Sequence, residues 1–428
     1  MSKRGKQENK LILFTLLATM ITTAAGCVKI PTIGSENKEN EACVSSVETM
    51  GIKNNGRYEY SEQKPHIAVS AMGYSAEDHK YFYSFGDMAD EFYVINTVDN
   101  ETVMEGSISE IGTDSEGRRQ NYGDFSQLCT PGTYVIYNET VGYSYPFRIE
   151  NDLWSELYNH VYHELEEAKA GNSSQECYRL SMMLLSKELY PDMKADDAYI
   201  MKTAQRLLAS DKIDDLYITA VMAQIYNAYA AENPELAGSC LERAVAGYDA
   251  AVKEDGDGTV LYLAGSALYR ATGNPKYVNS VMQADDVSER SDEEYRFLAD
   301  MAYLMCEKRT DYNRCELLMN GYLKQAADIS QSWTKDMYYM DSDIKNMKED
   351  DVMEKMLVLG MADYVLSCNE YLAVVKHCLN YYSGINPWLT DTNIGLYENA
   401  ENGEAMPDIE VLAKTLFVLC HAADVQTQ

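Results

Sequence analysis

The chain has 428 residues, 46% of them hydrophobic, enough apolar material for a large core and two or three domains, which excludes a disordered protein. Its formal net charge of -32 repels nucleic acid and anionic lipid surfaces, so neither is expected as a partner, while neutral and cationic ligands stay open.

Residues 1–26 begin with Lys3, Arg4, Lys6 and Lys10, pass through an apolar run from Leu11 to Ile21, and end in Ala24-Ala25-Gly26 before Cys27. That is the pattern of a secretory signal. An uncut transmembrane anchor is the competing reading, but the run is short for a spanning helix, which needs roughly 20 apolar residues. The small residues ahead of the cysteine resemble the lipobox of bacterial lipoproteins, with Ala24 where leucine is usual. The resemblance implies lipidation at Cys27 and a protein held by its lipid on the extracytoplasmic face of the cell membrane.

Residues 27–64 are polar, with Ser35 to Glu41 at their centre, and lack sustained periodicity; they read as a tether. From 65 to 150 the apolar residues come in short runs, Tyr81-Phe82-Tyr83, Phe92 to Ile95 and Tyr134 to Tyr137, separated by turn residues such as Asp99-Asn100 and Pro131-Gly132. Short strands at this spacing predict a β-sandwich of immunoglobulin-like size. At Leu153 the period changes from two to nearly four, with Leu153, Leu157, Val161 and Leu165 on one helix face. About twelve helices are expected between Leu153 and Cys420, with no convincing strand. Ile218, Met222, Ile225, Tyr226 and Tyr229 make one stripe and Ala237, Leu241, Ala244 and Tyr248 the next, with Asn233-Pro234 as stop and restart between them. Such helices in hairpins suit either a toroid or a solenoid.

Ten cysteines include Cys27, and the remaining nine cannot all pair internally. Most, Cys240 and Cys378 among them, sit in helical apolar patterns as buried small hydrophobes. No pair has the CxxC spacing of a zinc or redox site, the six histidines lack an HxxxH spacing, and neither metal nor cofactor is expected. Cys306 and Cys315 could pair across a helix turn.

Three further segments carry a resemblance. Ile67 to Tyr74, with Pro131-Gly132-Thr133-Tyr134 and Ser144-Tyr145-Pro146-Phe147-Arg148-Ile149 running straight into a helix, resembles the immunoglobulin-like domain that precedes the catalytic domain in many family nine glycoside hydrolases, the cellulase-type inverting enzymes. Ala267-Leu268-Tyr269-Arg270-Ala271-Thr272-Gly273-Asn274-Pro275-Lys276-Tyr277 resembles that family's helix ending in an LYxATGxxxY turn, and Leu379 to Pro387 its LxYxxGxNP segment. The likeness spans most of residues 66–423 and implies an N-terminal immunoglobulin-like β-sandwich (65–150) followed by an (α/α)6 toroid (151–428), outside the cell, directed at β-glucan-type polysaccharide.

Inverting hydrolysis needs two carboxyl groups roughly 6.5–9.5 Å apart, one to activate water and one to protonate the leaving oxygen. The family's base sits in a Gly-Gly-Trp-x-Asp-Ala-Gly-Asp loop; between Leu165 and Tyr199, where it belongs, this chain has Gly171 to Cys177 and Tyr190 to Asp197 instead. The family's zinc ligands and its sugar-holding His-His-Arg segment are absent too. The acid belongs to an Asn-Glu-Val-Ala sequence, which overlaps here with Glu410-Val411. The resemblance therefore carries one catalytic residue, Glu410, and the alternative is a helix N-terminal acid that favours the dipole.

Other carboxylates read as structural: Asp196-Asp197 and Asp214-Asp215 precede apolar runs and are expected to cap helices, and Asp255 to Gly258 reads as a turn. His160 and His163 are expected on the surface of the first helix. Thirty-four Tyr against eight Phe is a ratio suited to stacking on sugar faces, although most are expected to pack helices. Trp388 and Tyr397 are the expected rim of a carbohydrate cleft. Three readings follow: a hydrolase with Glu410 as acid, a scaffold that binds polysaccharide or protein without the reaction, and a helical interaction module with an immunoglobulin-like spacer.

Overall fold

The structure, a computed structural model, describes residues 65–113, 117–193, 197–253, 258–278, 293–308, 310–387, 394, 396 and 407–424. Cys27, the tether, Asp196, Asp255, Trp388 and Tyr397 lie outside these residues.

Among the described residues the short runs become ten strands in two sheets. One sheet is ordered β1 (Ile67–Ala68), β3 (Tyr81–Phe85), β7 (Arg119–Asp124), β6 (Ser109–Thr113). The other is ordered β2 (Tyr74–Ser75), β10 (Phe147–Glu150), β8 (Gly132–Asn138), β4 (Glu91–Asn96), β5 (Thr102–Ser107), with β9 (Gly142–Tyr143) paired to β8. All pairings are antiparallel except β2 with β10. Phe82, Phe92, Phe125 and Ile149 form the centre of the sandwich, each 0% exposed, and burying a side chain of this size stabilises by roughly 1.5–3 kcal/mol. The rings of Phe82 and Phe92 meet edge to face at 5.0 Å. Gly123 lies under the first of them, where a Cβ would come within 2.3 Å of the Phe82 ring. Asn100 turns between β4 and β5 with φ 60, the left-handed conformation that Asn tolerates.

Eleven α-helices follow among the described residues. They are α1 (Leu153–Glu167), α2 (Ser173–Leu189), α3 (Ala198–Leu208), α4 (Leu216–Tyr229), α5 (Pro234–Lys253) and α6 (Thr259–Thr272). After these come α7 (Arg296–Leu304), α8 (Tyr312–Trp333), α9 (Glu349–Leu366), α10 (Leu372–Tyr382) and α11 (Ile409–Asp424). The local chemistry explains most boundaries. Asp215 caps α4 through its side chain, accepting from the N–H groups of Tyr217 at 3.1 Å and Ile218 at 3.2 Å. Pro234 opens α5, where its missing N–H costs nothing. Gly273 ends α6 with φ 69 and returns its N–H to the Tyr269 carbonyl, the left-handed stop that favours glycine. The four apolar residues predicted for one face of α1 are 0–3% exposed.

Asp197 departs from expectation. It precedes α3 in a helical conformation without a side-chain capping bond, because its carboxylate is drawn to the Lys187 ammonium instead.

The chain divides into two compact units. Among the described residues, the first holds those within 162–328 and 412–417; the second holds those within 65–161, 329–411 and 418–424, and so contains the sandwich. Within the second unit the sandwich is fixed to helical residues by polar bonds. Asp78 accepts the indole N–H of Trp154 at 2.6 Å and the Lys376 ammonium at 2.5 Å. Tyr83 donates to the Met337 carbonyl, and the Ala71 N–H to the Ser383 carbonyl at 2.7 Å. The His377 ring is stacked between Tyr81 at 4.6 Å and Tyr339 at 4.1 Å. Lys80, 0% exposed, places its ammonium 2.6 Å from the Ala76 carbonyl and 2.8 Å from that of Asp78.

Cys240 and Cys378 are buried thiols as expected, and Cys306 and Cys315 are both free, so no disulfide joins them. Cys129 is disulfide-bonded. His163 lies on the surface of α1 beside Glu166 and Glu167, whereas His160 is half-buried.

Candidate functional site

In the first unit, the C-terminal halves of α2, α4, α6 and α7 line one cavity, with Glu188, Gln224, Arg270 and Ala302 among its walls. The cavity is about 20 Å³, room for a water and too little for a sugar ring. Its wall is held by an ion pair, with Arg270 donating to Glu188 at 2.7 Å.

Between Leu165 and Tyr199, where the base loop would be expected, a buried carboxylate stands in the first turn of α2. Glu176 is 6% exposed and lies between the guanidinium groups of Arg179 and Arg206. Arg179, itself 3% exposed, also donates to the carbonyls of Leu165 at 2.6 Å and Ala168 at 2.7 Å. Glu176 thus ties the start of α2 to α3 and, through Arg179, to the end of α1. Both oxygens of the Glu176 carboxylate are thus already engaged, one by each guanidinium. Beside it Tyr295 donates to the Ser174 carbonyl at 2.6 Å and packs against Tyr178 and Tyr217, and Lys414 of α11 lies 6.0 Å from the Tyr178 ring centre. Burial pushes the Tyr295 phenol far above its ordinary range, so it acts as a donor and not as a base.

The remaining described carboxylates between Leu165 and Tyr199 are similarly placed. Glu188 and Asp197 are paired with Arg270 and Lys187, Glu166 and Glu167 flank His163 on the surface, and Asp192 is exposed beyond the C-terminus of α2. Farther on, Asp300 is 3% exposed and accepts from Tyr262 at 2.7 Å, Tyr322 at 2.8 Å and Arg296 at 3.0 Å. Such a fully satisfied carboxylate holds helices together.

In the second unit Glu410 stands half-buried in the first turn of α11. Its carboxylate makes no ion pair among the described residues. Sequence reasoning missed Asp336, in the connection between α8 and α9. Burial pushes its carboxyl above the usual range, against one opposing bond from the Tyr338 N–H. A raised carboxyl suits a proton donor. Lys335-Asp336-Met337 carries no motif that would have shown this; the signal is burial alone. His421 and Asp363, at 3% and 1% exposed, are joined at 3.1 Å, and Asp363 also accepts the Tyr371 N–H. No group of three or more His, Cys, Asp or Glu side chains among the described residues is arranged to hold a metal ion, and no described helix is long and apolar enough to cross a membrane.

Residues 62–142 match the family model described as the cellulase N-terminal ig-like domain. Solved structures extend the likeness beyond the sandwich. A single mutant of a thermostable endoglucanase from Alicyclobacillus acidocaldarius is 12% identical, with a TM-score of 0.64, over 84% of this chain and 100% of that one. A family nine protein from Bacteroides ovatus and a metagenome-derived family nine endoglucanase are each 14% identical, with a TM-score of 0.65, over 84% of this chain and 99% of theirs. The fold is that of the family nine glycoside hydrolases. The expected immunoglobulin-like sandwich followed by an α/α toroid is thereby borne out, and a solenoid is set aside. At these identities the family nine likeness is one of architecture. A search of curated protein sequences finds no match.

Proposed function

We propose that this chain is an extracytoplasmic, lipid-anchored protein that uses a family nine scaffold to bind β-glucan-type polysaccharide without cleaving it. The observation that carries the reading is Glu176. In the segment where the family's base belongs, this buried carboxylate is clamped by Arg179 and Arg206, and the other described carboxylates there are paired or open to solvent. Inversion needs a base to activate water, and none of the described carboxylates of this segment is both buried and unpaired. The disulfide at Cys129 suits an oxidising compartment, and the strongly acidic chain suits a neutral glycan. Lipidation at Cys27 and a cleft rim at Trp388 and Tyr397 complete the proposal.

Hydrolysis by Glu410 as acid is the second reading, favoured by its half-buried place in the first turn of α11 with no ion pair among the described residues. One experiment separates the two. The purified chain is assayed for reducing ends released from soluble mixed-linkage and cellulosic glucans, and for binding of the same polymers, with Glu410→Gln as control. Binding without release, unchanged in Glu410→Gln, is expected. Release abolished by that substitution would overturn the non-catalytic reading, and absence of both would overturn the carbohydrate reading altogether.

A further inference from the structure

The sandwich carries three tyrosines in one row on its outer face. Tyr93 of β4 is paired in register with Tyr137 of β8, and Tyr137 with Tyr143 of β9. The neighbours of Tyr93 along its strand, Phe92 and Val94, are each 0% exposed and face the core. Tyr93 therefore points the other way, and all three tyrosines are partly exposed. Their rings adjoin, with centres 6.4 Å apart from Tyr93 to Tyr137 and 4.7 Å apart from Tyr137 to Tyr143. Two residues farther on, Tyr145 is 41% exposed.

We infer that this row is a second carbohydrate-binding site, a stacking platform for a single β-linked glucan chain. Three properties select that occupant. First, the row offers ring faces interrupted by hydroxyl groups, which suits the alternating C–H and O–H surface of a pyranose chain better than an apolar protein surface. Second, the polar groups beside it are acceptors. Glu91 accepts the Tyr93 hydroxyl at 3.1 Å, and Glu105 stands directly opposite Tyr93 on β5. Carboxylates accept hydrogen bonds from sugar hydroxyls and repel anionic polymers. Third, the rings are not coplanar: successive planes turn by 37° and 40°. A flat crystalline face would touch one ring at a time, whereas a twisted soluble chain can follow all three.

The inference rests on the carbohydrate reading above and is tested so that the two can fail separately. Binding of soluble mixed-linkage β-glucan and of microcrystalline cellulose is measured for the purified full chain, Tyr137→Ala and Tyr93→Ala, with thermal melting and sedimentation of each. Expected is binding of the soluble polymer by the parent, weakened about tenfold by either substitution, with melting unchanged. Equal binding by parent and both variants would overturn the platform while leaving the broader reading intact. Substitutions that change self-association but not glucan binding would show a protein interface and overturn it as well. Should the parent bind no glucan at all, both readings fall together. Since the two variants lie on different strands, misfolding of one leaves the other to decide.

Discussion

The hydroxyl of Tyr81, on the sandwich, lies 2.8 Å from Nδ1 of His377 on α10, and the two rings stack at 4.6 Å. Asn380 donates to the same hydroxyl at 3.3 Å, and Tyr339 covers the opposite face of the imidazole. Burial holds the His377 imidazole neutral, lowering its pKa to about 3, with His79 adding repulsion.

This burial makes stability depend on pH in one direction. In the unfolded chain the imidazole titrates near its ordinary value of 6.5, so below that the unfolded state binds more protons. The contribution is fully present above about pH 6.5 and is lost as pH falls toward about 3, by at most roughly 1.4 kcal/mol per unit. The edge of His377 still meets solvent, which lessens the slope. Urea unfolding at a series of pH values is expected to show a shallower acid decline for His377→Gln than for the parent.

Glu176→Gln removes the negative charge from between two guanidinium groups. Arg206 is 62% exposed and loses little, but Arg179 is buried and would keep two carbonyls and the Tyr199 ring without a counter-charge. Removing one partner of a buried pair costs about 3–5 kcal/mol. Denaturant unfolding is expected to show a loss near the lower end, since the Leu165 and Ala168 carbonyls remain. Glucan binding by the folded fraction should be unchanged, in contrast with a catalytic role.

A methyl group at residue 273 meets no steric barrier, its nearest neighbours being Lys308 side-chain atoms at 3.6 Å and beyond. The cost of Gly273→Ala is therefore backbone conformation, roughly 1–2 kcal/mol, and the melting temperature should fall. Asn at the same position, which tolerates the left-handed region, should recover part of the loss.

Cys129 should resist alkylation in denaturant until a reductant is added, whereas Cys306 and Cys315 should react at once. Peptide mapping after differential labelling measures both. Alkylation of Cys129 without reduction would contradict the disulfide and remove one support for an extracytoplasmic location.

Much of this architecture was legible in the chain because local chemistry sets it. Asp215 and Gly273 end or begin helices by bonds to their own neighbours, and the alternation around Phe92 and Val94 assigns faces within a strand. The candidate site was less legible, since its residues are defined by partners distant in sequence. Glu176 becomes unavailable through Arg206, and Asp197 fails to cap because Lys187 reaches it from the preceding helix. Asp336 lies in a stretch of no periodicity, and only tertiary burial shifts its carboxyl. The tyrosine excess was read as helix packing or cleft rim; one part of it forms the row at Tyr93, Tyr137 and Tyr143, whose alignment depends on strand register that periodicity does not supply.

The ammonium of Lys80 sits among backbone carbonyls as a metal ion might in another protein, but it is covalently part of the strand it braces. The turn from Ser75 to Lys80, which also presents Asp78 to Trp154 and Lys376, is thus cross-linked by a cation that cannot be exchanged. Chelators and changes in the supply of ions leave this brace in place, and the join between sandwich and helices inherits that indifference.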